Sequence, residues 1–285
     1  MNVKPNIGSR SLRRKTLIRV SLILTVVVLV SSLFVYRSWV ADKDGFIRVK
    51  TANELRDAIN NAEVGVQVNI ALTKDISLGP ALSIPAGADI TLTSVGGDGF
   101  FRLIGLNGQN VITVEKGGLL TLDGIIVTHE TGSTGGGVVV ENGGTLIMVD
   151  GEITGNTATW GSVGSGAGGG VHIKGSGVFE LMGGVILGNT AYSGGGIYNE
   201  GTFKMSSGLI SDNAVTIFHG NNGFGGGVYN CRGTFTMSGG EISNNKADSF
   251  GGGLYNYCGT FDRSSGGEIL GNTAEFGNDI YQLTE

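Results

Sequence analysis

The sequence predicts an all-β chain wound into a right-handed parallel β-helix, preceded by one capping α-helix and one membrane-spanning helix. Three observations carry that prediction. Glycine supplies 53 of the 285 residues, far above the usual share of about 7%. A Gly-Gly-Gly triplet starts at residues 135, 168, 194, 225 and 251, with a reduced sixth start at Gly277. Between triplets, apolar and polar residues alternate with the period of a strand.

Composition sets the bounds. Hydrophobic residues make up 40% and charged residues 15%, too apolar for a solvated disordered chain. There are 3 prolines and no G-X-Y period, which excludes collagen. Each interior glycine would cost a helix about 1 kcal/mol, so helix-rich folds are disfavoured. Residues 1–19 hold Lys4, Arg10, Arg13, Arg14, Lys15 and Arg19 and no acid; with the whole chain at −5, residues 20–285 carry −11. That acidic body lacks the basic stripe a nucleic acid needs, so no nucleic-acid partner is expected.

The elements follow in chain order. Residues 1–16 read as a basic cytoplasmic tail. Residues 17–36, "LIRVSLILTVVVLVSSLFVY", are almost wholly apolar. At about 1.5 Å per residue they span a hydrocarbon core of about 30 Å, and the basic flank belongs on the cytoplasmic side. The segment reads as an uncleaved signal anchor. A cleaved signal peptide is the other reading, with Val30-Ser31-Ser32 as its best site. The anchor makes the chain a single-pass membrane protein with its β-helix extracellular; cleavage makes it secreted. Residues 37–45 read as a linker, and 46–285 as the β-helix domain.

Within that domain, 46–96 is expected to be the cap. Thr51 and Glu54 form a capping box, and Leu55, Ala58, Ile59 and Ala62 share one helical face. The strand-like "VQVNIAL" and "DITLTSV" follow. Residues 97–285 are the repeats. Triplet spacings are 33, 26, 31, 26 and 26, so the base unit is 26 residues. The extra residues fall in "TWGSVGSGA" (159–167) and "VTIFHGNNGF" (215–224), at one position of the unit, as expected of surface loops on a repeated scaffold. Phe235, Met237 and Ile242 face one way, as do Phe203/Met205/Ile210, Phe179/Leu181/Ile186 and Leu146/Met148/Ile153. Each unit thus reads as three short strands with glycine turns. "GGLLTLDGIIVTHE" (117–130) aligns with "GGTLIMVDGEITGN" (143–156), which brings the expected total to about seven coils. One unit cannot bury its inner face alone; stacked units can.

Units such as "GGGVYNCRGTFTMSGGEISNN" (225–245) resemble the glycine-rich β-helix repeats of bacterial and archaeal adhesin-like surface proteins. The helix followed by "VNIALTKDISL" resembles the start of pectate-lyase-like domains. The resemblance covers roughly 46–285. It implies a fold, while its members range over lyases, hydrolases, adhesins and inert stalks.

Stacking turns each repeat position into a column. Asn156, Asn189, Asn213, Asn245 and Asn272 form one, with His129 ahead of them, and are expected to be a structural amide ladder. Asn199, Asn230 and Asn256 form another. His172, Tyr198, Tyr229, Tyr255 and Tyr281 follow Val139 and are expected to point outward as an exposed aromatic stripe. Two readings stay open for it: a self-stacked surface, or a platform for polysaccharide or a surface protein. Asp123 and Asp150 share a column and are the candidate catalytic acids, or the place for Ca²⁺ if any is held; otherwise no cofactor or metal is called for. Enzymes of the resembled superfamily add a basic residue beside such acids, whereas residues 117–230 hold only Lys174 and Lys204 and no arginine. Cys231 and Cys258 lie on adjacent coils, one residue out of register, and read either as a disulfide or as two free thiols. In the last coil, Arg263 replaces a core methionine, suggesting a bulge. The strands left open after it invite self-association. The leading expectation is a membrane-anchored, non-enzymatic surface protein that is adhesin-like or binds polysaccharide. A polysaccharide lyase or glycoside hydrolase is the alternative, and a structural spacer the third.

Overall fold

The computed structural model describes residues 45–97, 99–159, 166–216 and 223–284. The chain winds as a parallel β-solenoid of about nine turns. Three columns of short strands run along it. The first face stacks Ile47–Val49, Gln67–Leu72, Asp89–Ser94, Leu119–His129, Thr145–Thr154, Val178–Leu181, Thr202–Met205, Thr234–Met237 and Thr260–Asp262. The third face stacks Leu82–Ile84, Ile112–Val114, Val138–Val140, Val171–Ile173, Ile197–Asn199, Val228–Cys231, Leu254–Tyr257 and Ile280–Leu283. Between them lies a second face, formed by Ile76–Ser77, Phe101–Gly105, the later halves of Leu119–His129 and Thr145–Thr154, and then Val185–Leu187, Leu209–Ser211, Glu241–Ser243 and Glu268–Leu270.

Two expectations about the coils change. The count rises from about seven to about nine, because strands within 46–96 pair in the same sheets as the repeats: Gln67–Leu72 pairs with Asp89–Ser94, which pairs with Leu119–His129. Nor does every coil have three separate strands. In Leu119–His129 and Thr145–Thr154 the first two faces run on as one strand, with register shifts between Met148 and Gly151. Further on, glycine and serine turns divide them, and Thr190–Ala191 and Ala214–Val215 add a short fourth pair.

The core is a stack of equivalent side chains. Phe179, Phe203 and Phe235 are fully buried in register, their rings stacked at 5.3 Å and 4.6 Å. Leu146, Leu181, Met205, Met237, Ile186, Ile210 and Ile242 fill the rest of those layers. Arg263 follows Thr260–Asp262, where the last strand of the first face stops, and is exposed. Ending the strand keeps its charge out of the interior, in place of a bulge within it.

The helix spans Ala52–Asn60. Thr51 Oγ1 accepts from Glu54 N at 3.2 Å, and Glu54 Oε2 accepts from Lys50 N at 2.8 Å. The reciprocal cap therefore reaches one residue further back than the expected box. Leu55, Ala58 and Ile59 are buried, and Ala62 half-buried. The expected membrane span at 17–36, with its tail and most of the linker, lies outside the described residues. Among the described residues no helix is long and apolar enough to cross a membrane.

Glycine triplets do three separate jobs. The first glycine takes a left-handed backbone at 168, 194, 225, 251 and 277, with φ between +63° and +67°. The middle one lies against backbone: a Cβ on Gly226 would stand 2.5 Å from the Gly252 carbonyl oxygen and 2.6 Å from Lys246 backbone atoms. The third is pressed by backbone and core alike: a Cβ on Gly227 would stand 2.7 Å from the Gly253 carbonyl oxygen, 2.9 Å from Ile242 Cγ2 and 3.0 Å from Asn245 Nδ2.

Candidate functional site

Polar columns inside the solenoid come first, because they show which residues are already engaged. Asn156 Nδ2 donates to Asn189 Oδ1 at 2.9 Å, Asn189 Nδ2 to Asn213 Oδ1 at 3.0 Å, Asn213 Nδ2 to Asn245 Oδ1 at 2.9 Å, and Asn245 Nδ2 to Asn272 Oδ1 at 2.9 Å. Each ladder asparagine also donates its backbone N–H to the next Oδ1. All are buried. The ends are closed. His129 Nδ1 lies 2.8 Å from Asn156 Oδ1 and its Nε2 lies 2.9 Å from the Gln109 carbonyl. At the other end, Asn272 donates its N and Nδ2 to Asp279 Oδ1, both at 3.0 Å. His129 is thus a ladder member, as expected; Asp279 was not foreseen. Asn199, Asn230 and Asn256 form the second ladder, with Nδ2 to Oδ1 distances of 2.7 Å.

The tyrosine column has the expected register and not the expected exposure. Val139, His172, Tyr198, Tyr229, Tyr255 and Tyr281 pair in order. Yet Tyr229 and Tyr255 are 9% and 5% exposed, Tyr198 and Tyr281 are half-buried, and His172 is buried. The exposed stripe is therefore corrected to a shielded one. The shield is a second column, Phe224, Phe250 and Phe276, which pairs coil to coil one residue before each triplet. Its rings stack at 5.8 Å and 5.1 Å. Phe224 stacks on Tyr255 at 5.1 Å, and Phe250 lies 4.8 Å from Tyr281. The sequence carried the signal, because "FGGG" recurs at 224 and 250 and "FGND" at 276. The rings of this flank therefore stack largely on one another. Phe276, 48% exposed, is the most open of the three.

Burial first, then a hydrogen bond to the Cys231 thiol, push the Tyr198 hydroxyl well above the ordinary phenol range. Burial leads at Tyr229 too, followed by the Cys231 charge and hydrogen bond. The folded state therefore holds these protons. That contribution to stability is complete below about pH 10, where unfolded tyrosine is neutral, and is lost as pH rises further. In an alkaline titration, the phenolate absorbance of these two residues is expected to rise only together with loss of the circular dichroism signal. Full ionisation of every tyrosine in a still-folded protein would contradict it.

The acids stand apart from this flank. Asp123 pairs with Asp150 at the register shift, as expected, and both are exposed. Asp150 Oδ1 accepts from Gly151 N at 2.7 Å. Lys174 pairs with Glu141 at 2.6 Å and Lys204 with Glu180 at 2.9 Å, so neither lysine of that stretch serves the aspartates. Among the described residues no group of three or more His, Cys, Asp or Glu side chains could hold a metal. Two exposed carboxylates fall well short of the 6–8 oxygens Ca²⁺ takes. His172 Nε2 lies 3.3 Å from Glu200 Oε2, and that bond holds the Glu200 carboxyl below its usual range. Among the described residues the buried His172 Nδ1 has no hydrogen-bond partner.

Cys231 and Cys258 are free thiols, both half-buried, so the disulfide reading does not describe this state. Cys231 pairs with Tyr257, which leaves Cys258 one residue beyond register, at a left-handed φ of +50°. The residues that flank the two insertions lie along one edge. The residues before them share a column through Thr157, Thr190 and Ala214, and those after them through Ala167, Ser193 and Phe224.

Comparison of the chain with protein-family models, with curated proteins and with solved structures found no match.

Proposed function

We propose that this chain is a membrane-anchored, surface-displayed β-helix that binds a polysaccharide or a surface protein without cleaving it. The observation that carries the reading is the shared edge: both departures from the 26-residue period fall between the same two columns, beside the half-exposed phenylalanine ladder. Variable loops on a rigid, self-satisfied scaffold are how many binding proteins present contacts. The ladder supplies an apolar border to that edge; the buried tyrosines support it from beneath.

Several finer features belong to this reading. The winding is right-handed, as in nearly all parallel β crossovers, and akin to pectate-lyase-like domains. Residues 17–36 hold the chain in the membrane, with the β-helix outside the cell. The helix at Ala52–Asn60 lies over the first coil as a lid, supported by its buried Leu55, Ala58 and Ile59.

A glycan array probed with residues 42–285, with and without Ca²⁺, tests the binding. Retention of a defined glycan class, unchanged by Ca²⁺ removal, is expected; cleavage of a bound glycan would replace this reading with an enzymatic one. A spacer role is the second reading, favoured by ring faces occupied by one another. Absence of any glycan or cell-surface partner would leave it standing.

A further inference from the structure

We propose that Cys231 and Cys258 form a dithiol switch, which a small disulfide of the glutathione class closes into an intramolecular disulfide and a reducing thiol reopens. Register brings the pair together. Cys231 lies opposite Tyr257 on the adjacent parallel strand, so Cys258 is its diagonal neighbour. With strands about 4.8 Å apart and a rise of about 3.3 Å per residue, the two Cα atoms stand about 6 Å apart. That separation falls inside the disulfide range. Both side chains are half-buried, hence reachable by a small reagent.

The two thiols are not equivalent. Cys231 ends the strand Val228–Cys231, next to Arg232 and opposite Tyr257. The Arg232 guanidinium lies 5.6 Å from the Tyr257 ring centroid. A partly open sulfur beside a cation is the setting of an attacking thiol. Cys258 occupies a tight left-handed turn, at φ +50°. It is placed to resolve.

The exchange balances. Cys231, its proton lost to solvent, attacks one sulfur of the small disulfide; an S–S bond to Cys231 forms, the reagent's own S–S bond breaks, and one thiolate leaves and is protonated. The Cys258 sulfur then attacks Cys231 in that mixed disulfide and releases the second small thiol. Two cysteines are oxidised and one reagent disulfide is reduced to two thiols. Closure ties the end of Val228–Cys231 to the residue after Leu254–Tyr257, clamping neighbouring coils.

The test treats the full chain with oxidised glutathione and follows free thiols and intact mass. The native chain is expected to lose both thiols, with a mass lower by two hydrogens, no adduct, and recovery of both thiols under dithiothreitol. Cys258→Ser is expected to stop at one glutathione adduct on Cys231. Cys231→Ser is expected to react at least tenfold more slowly. Both thiols surviving in the native chain, a lasting adduct without closure, or equal rates in the two serine variants would overturn the proposal.

Discussion

Asn213→Ala is expected to destabilise the solenoid by about 3 kcal/mol, and to do so although the residue touches no surface. The Asn189 backbone N–H and Nδ2 both donate to Asn213 Oδ1, and Asn213 Nδ2 donates to the Ile186 carbonyl and Asn245 Oδ1. Alanine strands the Asn189 N–H and deprives the Ile186 carbonyl of a donor, in a site with no water-facing side. Each buried polar group left unpaired costs roughly 1–3 kcal/mol. The break falls mid-ladder, where each coil is held only by its neighbours, so cooperativity should fall with it. Asn142→Ala is the control: Asn142 is exposed and accepts from Ser176 N, so a change within about 0.5 kcal/mol is expected. Urea unfolding of the three proteins decides; equal midpoints for Asn213→Ala and the parent would remove the ladder from the account of stability.

Gly226→Ala is expected to be worse, at about 4 kcal/mol or outright loss of folded protein. Its backbone is not left-handed, so conformational strain is not the reason. The added methyl would lie 2.5 Å from the Gly252 oxygen and 2.6 Å from Lys246 C and O. Those are backbone atoms of the next coil, and no rotamer change relieves them. Gly188→Ala separates the two costs. Gly188 has φ +61°, and a methyl added there would meet nothing within 4 Å, so only left-handed strain of about 1–2 kcal/mol is expected. Thermal unfolding in which Gly188→Ala is the more damaging substitution would contradict the close approach between coils.

Repetition made much of this readable from the chain. The 26-residue period put Val139 through Tyr281 in one column and five asparagines in another, because a parallel solenoid keeps equivalent positions in register. The first coils were harder to read: residues 46–96 have strand alternation and no triplet, so they looked like a cap. Tyrosine exposure was misjudged for a physical reason. Alternation says which side of its own strand Tyr229 occupies; it does not say that Phe224, five residues earlier, folds over that side. Asp279 escaped notice because it reaches the ladder from the position of a triplet's third glycine, outside the asparagine column. The thiol state could not be read, because side-chain direction at a left-handed turn such as Cys258 does not follow strand alternation.

The proposed function rests on the edge where the residues flanking both insertions are stacked. The most direct test trims both, deleting 160–165 and 217–222, and measures binding of the trimmed protein to the glycans or cells that the parent retains. Because the flanking columns already pair coil to coil without those residues, folding is expected to survive, with an unchanged circular dichroism spectrum. Binding is expected to fall at least tenfold. A folded, trimmed protein that binds as tightly as its parent would contradict the assignment of function to this edge.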